Sequence, residues 1–258
     1  MDLGLAGRAA IVCGASQGLG YACAEALAGE GVHLTIAART AAKLEAAATQ
    51  LRARAPSVTA VACDLGREES ITALLAACPE PDILIVNSGG PPVGDFRSLS
   101  RADWQSATET NMIGAIMLIR AVIDGMCARK FGRIVTITSG AVKAPLPFLA
   151  LSNAARAGLV AAVKGLAREV AAHNVTINNL MPGPFATERL RGNFARRAAA
   201  SGEPEEKIRG ESLEKIPAGR FGDPAEFGAF CASLCNARLG YLTGQSILLD
   251  GGAFPGLL

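Results

Sequence analysis

The residues whose spacing points most directly to chemistry are three glycines. Gly14, Gly18 and Gly20 fall within the stretch Ile11 to Gly20, IVCGASQGLG, after a short apolar run and before an alanine-rich segment from Tyr21 to Ala28. That order reads as strand, glycine turn, helix. Gly14 can take backbone angles that a side chain forbids, Gly18 lets the main chain approach a ligand, and Gly20 lets the helix pack on the strand. The exposed N–H groups at the helix start suit a pyrophosphate, with Ser16, Gln17 and Leu19 in the same turn. A tight strand-to-helix turn also uses glycine for structural reasons alone, so the downstream residues decide between the two readings.

Other reactive residue types are spread without a metal-binding or nucleophilic pattern. The seven cysteines lie mostly in apolar segments, where a thiol behaves as a small hydrophobe and an odd count argues for a reducing compartment. Cys231 and Cys235 share a helix face, but two thiols without histidine nearby make a poor zinc site, and no metal is expected. His33 falls in a strand and His173 at a helix end. A net charge of +2 and the lack of a basic block give no reason to expect nucleic acid or a membrane surface as partner. The N-terminal MDLGLAGRAA has no charged leader with a long apolar stretch behind it, and no run reaches the roughly 18 apolar residues of a membrane span. A cytoplasmic protein is the expectation.

The elements that must position the glycine turn follow from the apolar pattern. Strand-length runs recur at Ala9 to Cys13, His33 to Ala37, Val58 to Ala62, Ile83 to Val86, Arg133 to Thr138, Thr176 to Leu180 and Ser246 to Leu249, with helical segments between them. This alternation predicts a parallel sheet of seven strands with right-handed crossovers and helices on both faces. The fold class is α/β, one doubly wound Rossmann-type domain over residues 1–258, with any ligand lying across the carboxyl ends of the strands. Half the residues are hydrophobic, enough for a large core. The segment from Thr187 to Gly219 breaks the rhythm with charge, glycine and proline, and reads as an insertion of functional type.

The glycine spacing, three residues and then one, resembles the short-chain dehydrogenase/reductase family, and the resemblance runs over nearly the whole chain. Further matches follow in order: Asp64 and Leu65 after the third strand, DILIVNSGG with Asn87 and Gly89, ETNMIGA with Asn111, IVTITSG with Ser139, LMPGPFAT with Pro182, Gly183 and Thr187, and the closing TGQSILLDGG. Val86 departs from the family's usual asparagine. The resemblance implies that Asp64 hydrogen-bonds adenine, that Thr187 reaches the nicotinamide carboxamide, and that residues 187–219 form a mobile substrate lid. NAD-preferring relatives carry an acid where Ala38 stands; that missing acid, with Arg39 directly after it, favours NADP, with NADPH preferred over NADH. A guanidinium grips the 2′-phosphate with paired charge-assisted bonds. The bland alternatives are that Arg39 is a solvated start to the next helix and that Asp64 caps one.

The family's catalytic set is an asparagine, a serine, a tyrosine and a lysine. Asn111, on the fourth helix, and Ser139 match the first two. The register set by GLVAAVKGLAREVA places Ser152 and Arg156, thirteen and seventeen residues after Ser139, at the tyrosine and lysine positions. The two tyrosines of the chain, Tyr21 and Tyr241, lie elsewhere. A serine hydroxyl is far less acidic than a phenol of pKa about 10 and much shorter. Arg156 can hold ribose hydroxyls and place positive charge below the site, but stays protonated and cannot relay protons. The substitute acids to weigh are a water held by Ser152, Lys143 or Glu188, with water foremost. The lid arginines Arg189, Arg191, Arg196 and Arg197 could recognise an acidic or phosphopantetheine-bearing substrate, or could simply line a solvated amphipathic helix.

The implied activity is interconversion of a carbonyl and an alcohol on a small-molecule or acyl-carrier-bound substrate. Two alternatives remain open: a nucleotide-binding sensor or scaffold that has lost hydride transfer, and non-redox chemistry such as dehydration on the same pocket. The resemblance also implies a homodimer or homotetramer formed through the fourth and fifth helices, and the small-residue face from Ala154 to Ala172 permits close helix approach.

Overall fold

The computed structural model describes residues 2–257. Strands β1 (Ala9–Cys13), β2 (His33–Ala38), β3 (Val58–Ala62), β4 (Ile83–Val86), β5 (Gly132–Ile137), β6 (Val175–Pro182) and β7 (Ser246–Leu249) form one sheet in the order β3-β2-β1-β4-β5-β6-β7. Every neighbouring pair is parallel. The order reverses between β1 and β4, so a crevice opens above their carboxyl ends. The strand positions follow the apolar runs closely. The largest difference is at β6, which runs on through Pro182, a residue expected in the following turn.

Helices α1 (Gly18–Gly29), α2 (Ala41–Leu51) and α3 (Glu68–Ala77) alternate with the first strands. On one face of the sheet α1 and α9 (Pro224–Cys235) bury Leu27, Phe227 and Cys231 against Val12, Ile36 and Val135. They cross so closely that a Cβ on Gly228 would stand 2.2 Å from the Ala22 carbonyl oxygen. On the other face α3, α5 (Gly114–Ala128) and α6 (Ala150–Val170) bury Leu74, Leu118 and Leu159 against Ile11, Leu84 and Ile134. A sheet buried on both sides needs near-continuous apolar strands, which is what β1, β4 and β5 supply. The missing asparagine at Val86 leaves the sheet intact, for Val86 is buried and pairs in register with Thr136.

The fourth helical segment departs from expectation. It comprises α4 (Arg101–Thr108), a π-helical turn over Glu109–Ile113, and α5, joined end to end. The composite Arg101–Ala128 is long and apolar enough to cross a membrane by length and composition, although Glu109, Arg120 and Asp124 interrupt its apolar residues. Its apolar residues have another use: Ala115, Leu118, Ile119, Val122 and Met126 pack on the sheet.

Residues 187–219 fold as two helices, α7 (Glu188–Ser201) and α8 (Glu205–Glu214). Phe194 and Ile208 are buried beneath them, with Phe194 5.6 Å from Phe221. Both ends of this segment are pinned by a parallel bridge between Phe185 and Gly222, where the Ala186 N–H donates to the Gly222 carbonyl at 2.8 Å.

Candidate active site

A cleft of about 340 Å³ lies over the carboxyl ends of β1, β2 and β4. Of the residues assigned to a cofactor, Gly14, Ser16, Gln17, Gly18, Leu19, Arg39, Asp64, Leu65, Asn87, Gly89 and Thr187 line it. Gly20 lies just behind the wall. A Cβ there would sit 2.2 Å from the Gly14 carbonyl oxygen and 2.8 Å from Asn87 Nδ2, so the helix start can close on the turn only without a side chain. Gly14 and Gly18 have φ of +63° and +62°, the left-handed region that favours glycine. The α1 N-terminus has no side-chain cap, since the extended Gln17 at that position makes no capping hydrogen bond. Its first N–H groups therefore lack a side-chain partner, an arrangement that suits an anion such as a diphosphate.

The walls of the cleft come from distant parts of the chain. Thr187 stands opposite the turn, its Cγ2 3.6 Å from where a Gly18 Cβ would be, and is fixed as the cap of α7 by accepting from the Leu190 N–H at 3.3 Å. Thr187, and not Glu188, is thus the helix cap, and Glu188 lines the cleft. The Arg39 guanidinium crosses the mouth and comes within 3.1 Å of a Gly89 Cβ position, with Lys43 of α2 beside the same opening. Asp64 Oδ1 accepts from the Gly66 N–H at 3.1 Å, which fixes its own turn; Arg67, and not Asp64, stands at the α3 cap position. Cys63 also lines the cleft, but burial first and the Asp64 charge second push its thiol up to about 11, so it is no nucleophile.

The four catalytic candidates gather at the ends of β4 and β5 around Arg156. This guanidinium is 6% exposed and points into the protein. Its Nη1 donates to the carbonyls of Ile137 at 2.7 Å and Thr138 at 3.0 Å, and its Nη2 to the Ser88 carbonyl at 3.3 Å and Asn111 Oδ1 at 3.4 Å. Four donors are committed, so the expected grip on ribose is left to Nε alone. Burial first and the charge of Arg189 second bring its pKa down to about 10. Asn111, buried on the π turn, donates to the Ala107 carbonyl at 3.2 Å and accepts from Ser88 Oγ at 2.9 Å. An extra backbone residue in a helix re-aims the side chains around it, and such turns recur at functional sites. Ser139 follows β5, and its Oγ accepts from the Ala141 N–H at 3.1 Å, which leaves its own hydrogen to donate. Ser152 is buried one helical turn before Arg156, on the same face of α6. Pro182 and Gly183 lie at the adjoining strand end, where the Pro182 carbonyl comes within 3.3 Å of a Gly140 Cβ position.

Neither phenol reaches this place. Tyr21 OH donates to Gln50 Oε1 at 2.9 Å and Tyr241 is fully exposed. Lys143 is drawn aside over the Phe254 ring, 5.8 Å from its centroid. Ser88 escaped the sequence reading. It connects the cofactor wall to Asn111 and Arg156; its place between Asn87 and Gly89 was the available signal. Arg189, one of the lid arginines left open above between substrate recognition and a solvated helix face, lies in the cleft: its Nη atoms would be 2.0 and 2.6 Å from a Gly90 Cβ.

The model of the family described as short chain dehydrogenase matches residues 8–198. The 3-oxoacyl-[acyl-carrier-protein] reductase FabG of Vibrio cholerae is 31% identical over 259 residues, covering 98% of this chain and 99% of its own. Among solved structures, L-sorbose reductase from Gluconobacter frateurii, complexed with NADPH and L-sorbose, superposes with a TM-score of 0.93 at 29% identity over the whole of both chains. YwfH, an NADPH-dependent reductase involved in bacilysin biosynthesis, gives a TM-score of 0.89 at 28% identity, covering 97% of this chain and 99% of its own.

Proposed function

Since the chain belongs to the short-chain dehydrogenase family, we propose that it is an NADP(H)-dependent oxidoreductase that interconverts a carbonyl and an alcohol through an atypical catalytic set. One observation carries this reading: the glycine cradle, whose Gly14–Gly20 contact leaves no room for a Cβ, faces Thr187 and opens toward Arg39. The cofactor, when bound, supplies or accepts the hydride. Arg39 holds the 2′-phosphate, with Lys43 adding charge beside it, and Asp64 and Asn87 line the nucleoside side. Ser139 donates its free hydrogen to the carbonyl oxygen. Ser152 occupies the position where the family places its tyrosine and holds a water that delivers the proton. Arg156 stands at the lysine position and fixes the Ser88 loop and Asn111 while keeping positive charge under the reacting oxygen. Loss of a side-chain acid costs about 10² to 10⁴ in rate, while positioning and electrostatic stabilisation remain.

The distance of both tyrosines from the cleft favours a second reading, a nucleotide-binding sensor or scaffold. Titration with NADPH and NADH, followed by a wide carbonyl panel, separates the two. The enzyme reading expects NADPH to bind more tightly than NADH and at least one carbonyl to be reduced. NADPH binding without turnover leaves the sensor; no binding of either nucleotide overturns both. Arg39→Ala is expected to weaken NADPH binding by about 10- to 100-fold, the worth of a charge-assisted pair, and NADH binding by less than about threefold. Equal losses for the two nucleotides would remove Arg39 from the 2′-phosphate. A homodimer or homotetramer is part of the proposal, supported by the exposed small residues Ala154, Ala157, Ala161 and Gly165 along α6. A monomer in sedimentation would exclude it.

A further inference from the structure

Among the described residues Arg189 has no carboxylate partner, and it is held over bare backbone. It is the second residue of α7, after the Thr187 cap and Glu188, and its guanidinium reaches across the cleft to rest on Gly90, where any side chain would collide with it. The ion pairs among the described residues lie elsewhere, from Arg8–Asp82 at the start of the chain to Arg220–Glu226 at the base of α9. Arg156 and Arg196 are close enough to Arg189 for the charges to act on one another, and Glu188, its neighbour in α7, forms no ion pair with it. Burial and the nearby Arg196 lower the Arg189 pKa, the signature of a cation that lacks an anion. A guanidinium in this setting is stabilised by a planar bidentate acceptor, which a carboxylate is.

The position of the guanidinium selects the anion. The cofactor's diphosphate has the α1 N-terminus and its 2′-phosphate has Arg39. Gly90 lies two residues beyond Ser88, whose carbonyl and hydroxyl are tied to Arg156 and Asn111, so Arg189 overlooks the reacting end of the cleft. We infer that Arg189 anchors the substrate, and that the substrate is a carbonyl compound carrying a carboxylate a few bonds from the reacting carbon. The inference rests on the oxidoreductase reading above. Because Arg189 belongs to α7, the bound carboxylate also ties the 187–219 segment down over the site. Glu188, next to it on the cleft wall, repels a second negative charge and limits the substrate to one anionic group at this end.

The test uses the full chain with NADPH and matched probes, a series of 2-oxo and 3-oxo acids and their methyl esters. NADPH binding is measured first and reports on the oxidoreductase reading alone. The acids are then expected to bind the NADPH complex at least about 10-fold more tightly than their esters, and any turnover to show the same preference in KM. Arg189→Ala is expected to raise the acid's KM or Kd by about 10- to 100-fold, to leave the ester unchanged, and to hold the NADPH Kd within about twofold. Arg189→Lys should recover part of the acid's affinity, because it keeps the charge and loses the fork. If the complex binds no acid better than its ester, the inference is overturned while the cofactor reading stands. If Arg189→Ala instead weakens NADPH, the residue is a cofactor ligand and the inference is overturned as well.

Discussion

Methionine at position 156 is expected to lower the unfolding free energy by about 2–4 kcal/mol, read from urea denaturation. The guanidinium of Arg156 supplies the hydrogen bonds of three carbonyls, Ile137, Thr138 and Ser88, and of Asn111 Oδ1. An apolar side chain of similar length fills the space and takes this donor from the three carbonyls, at about 1–3 kcal/mol for each one left unsatisfied, while Asn111 Oδ1 keeps the Ser88 hydroxyl. Part of this is offset, because a pKa brought down to about 10 means that burying the charge is itself costly. The offset is incomplete, since only one side of each interaction is removed. Arg156→Lys should lose less stability, because an ammonium keeps the charge and two or three donors, although it cannot span Thr138 and Ser88 as a fork does. A methionine variant as stable as the native protein would mean that water replaces the guanidinium at no cost. Arg156 would then be held by function and not by the fold.

The second large effect is at Gly20. Gly20→Val is expected to destabilise the chain by about 3 kcal/mol or more and to abolish the thermal shift produced by NADPH. The new Cβ meets a carbonyl carbon and oxygen of Gly14 at 2.7 and 2.2 Å, and backbone cannot step aside as a flexible side chain can. To relieve the contact, α1 must lift from β1, which removes its N–H groups from the phosphate position. Losing two such charge-assisted bonds, each about 1.5–3 kcal/mol, weakens binding by about 100-fold or more. Gly18→Ala is the informative control. Its Cβ has ordinary space, the nearest atom being Thr187 Cγ2 at 3.6 Å, but its φ of +62° strains any side chain. That variant should fold with a loss of about 1–2 kcal/mol. If Gly20→Val bound NADPH normally, the tight contact between Gly14 and Gly20 would not be what shapes the cradle.

The sequence by itself determined the seven strands, their parallel pairing, the doubly wound class and the location of the glycine turn. These are properties of short segments: continuous apolar runs of strand length, glycines at fixed spacing, and helices between strands that force parallel crossovers. The wall of the cleft was legible for the same reason, because Gly14, Asp64, Asn87 and Thr187 each follow a strand end and so arrive at one edge of the sheet. The candidate catalytic centre was legible only as a set of positions. Arg156 and Ser88 are 68 residues apart, and nothing local to either indicates that the guanidinium turns inward to the carbonyls. Arg189 is one of four arginines in α7 with similar surroundings in the sequence, yet it alone of them lies against Gly90. Arg133 makes the same point at the opposite end of the sheet: it reads as the charged start of a strand and is instead fully buried, bonded to the carbonyls of Asn174, Asn236 and Ala237. An arginine carries several rotatable bonds and a charge that must find acceptors once desolvated, so its direction is set by carbonyls that only the assembled tertiary structure brings within reach.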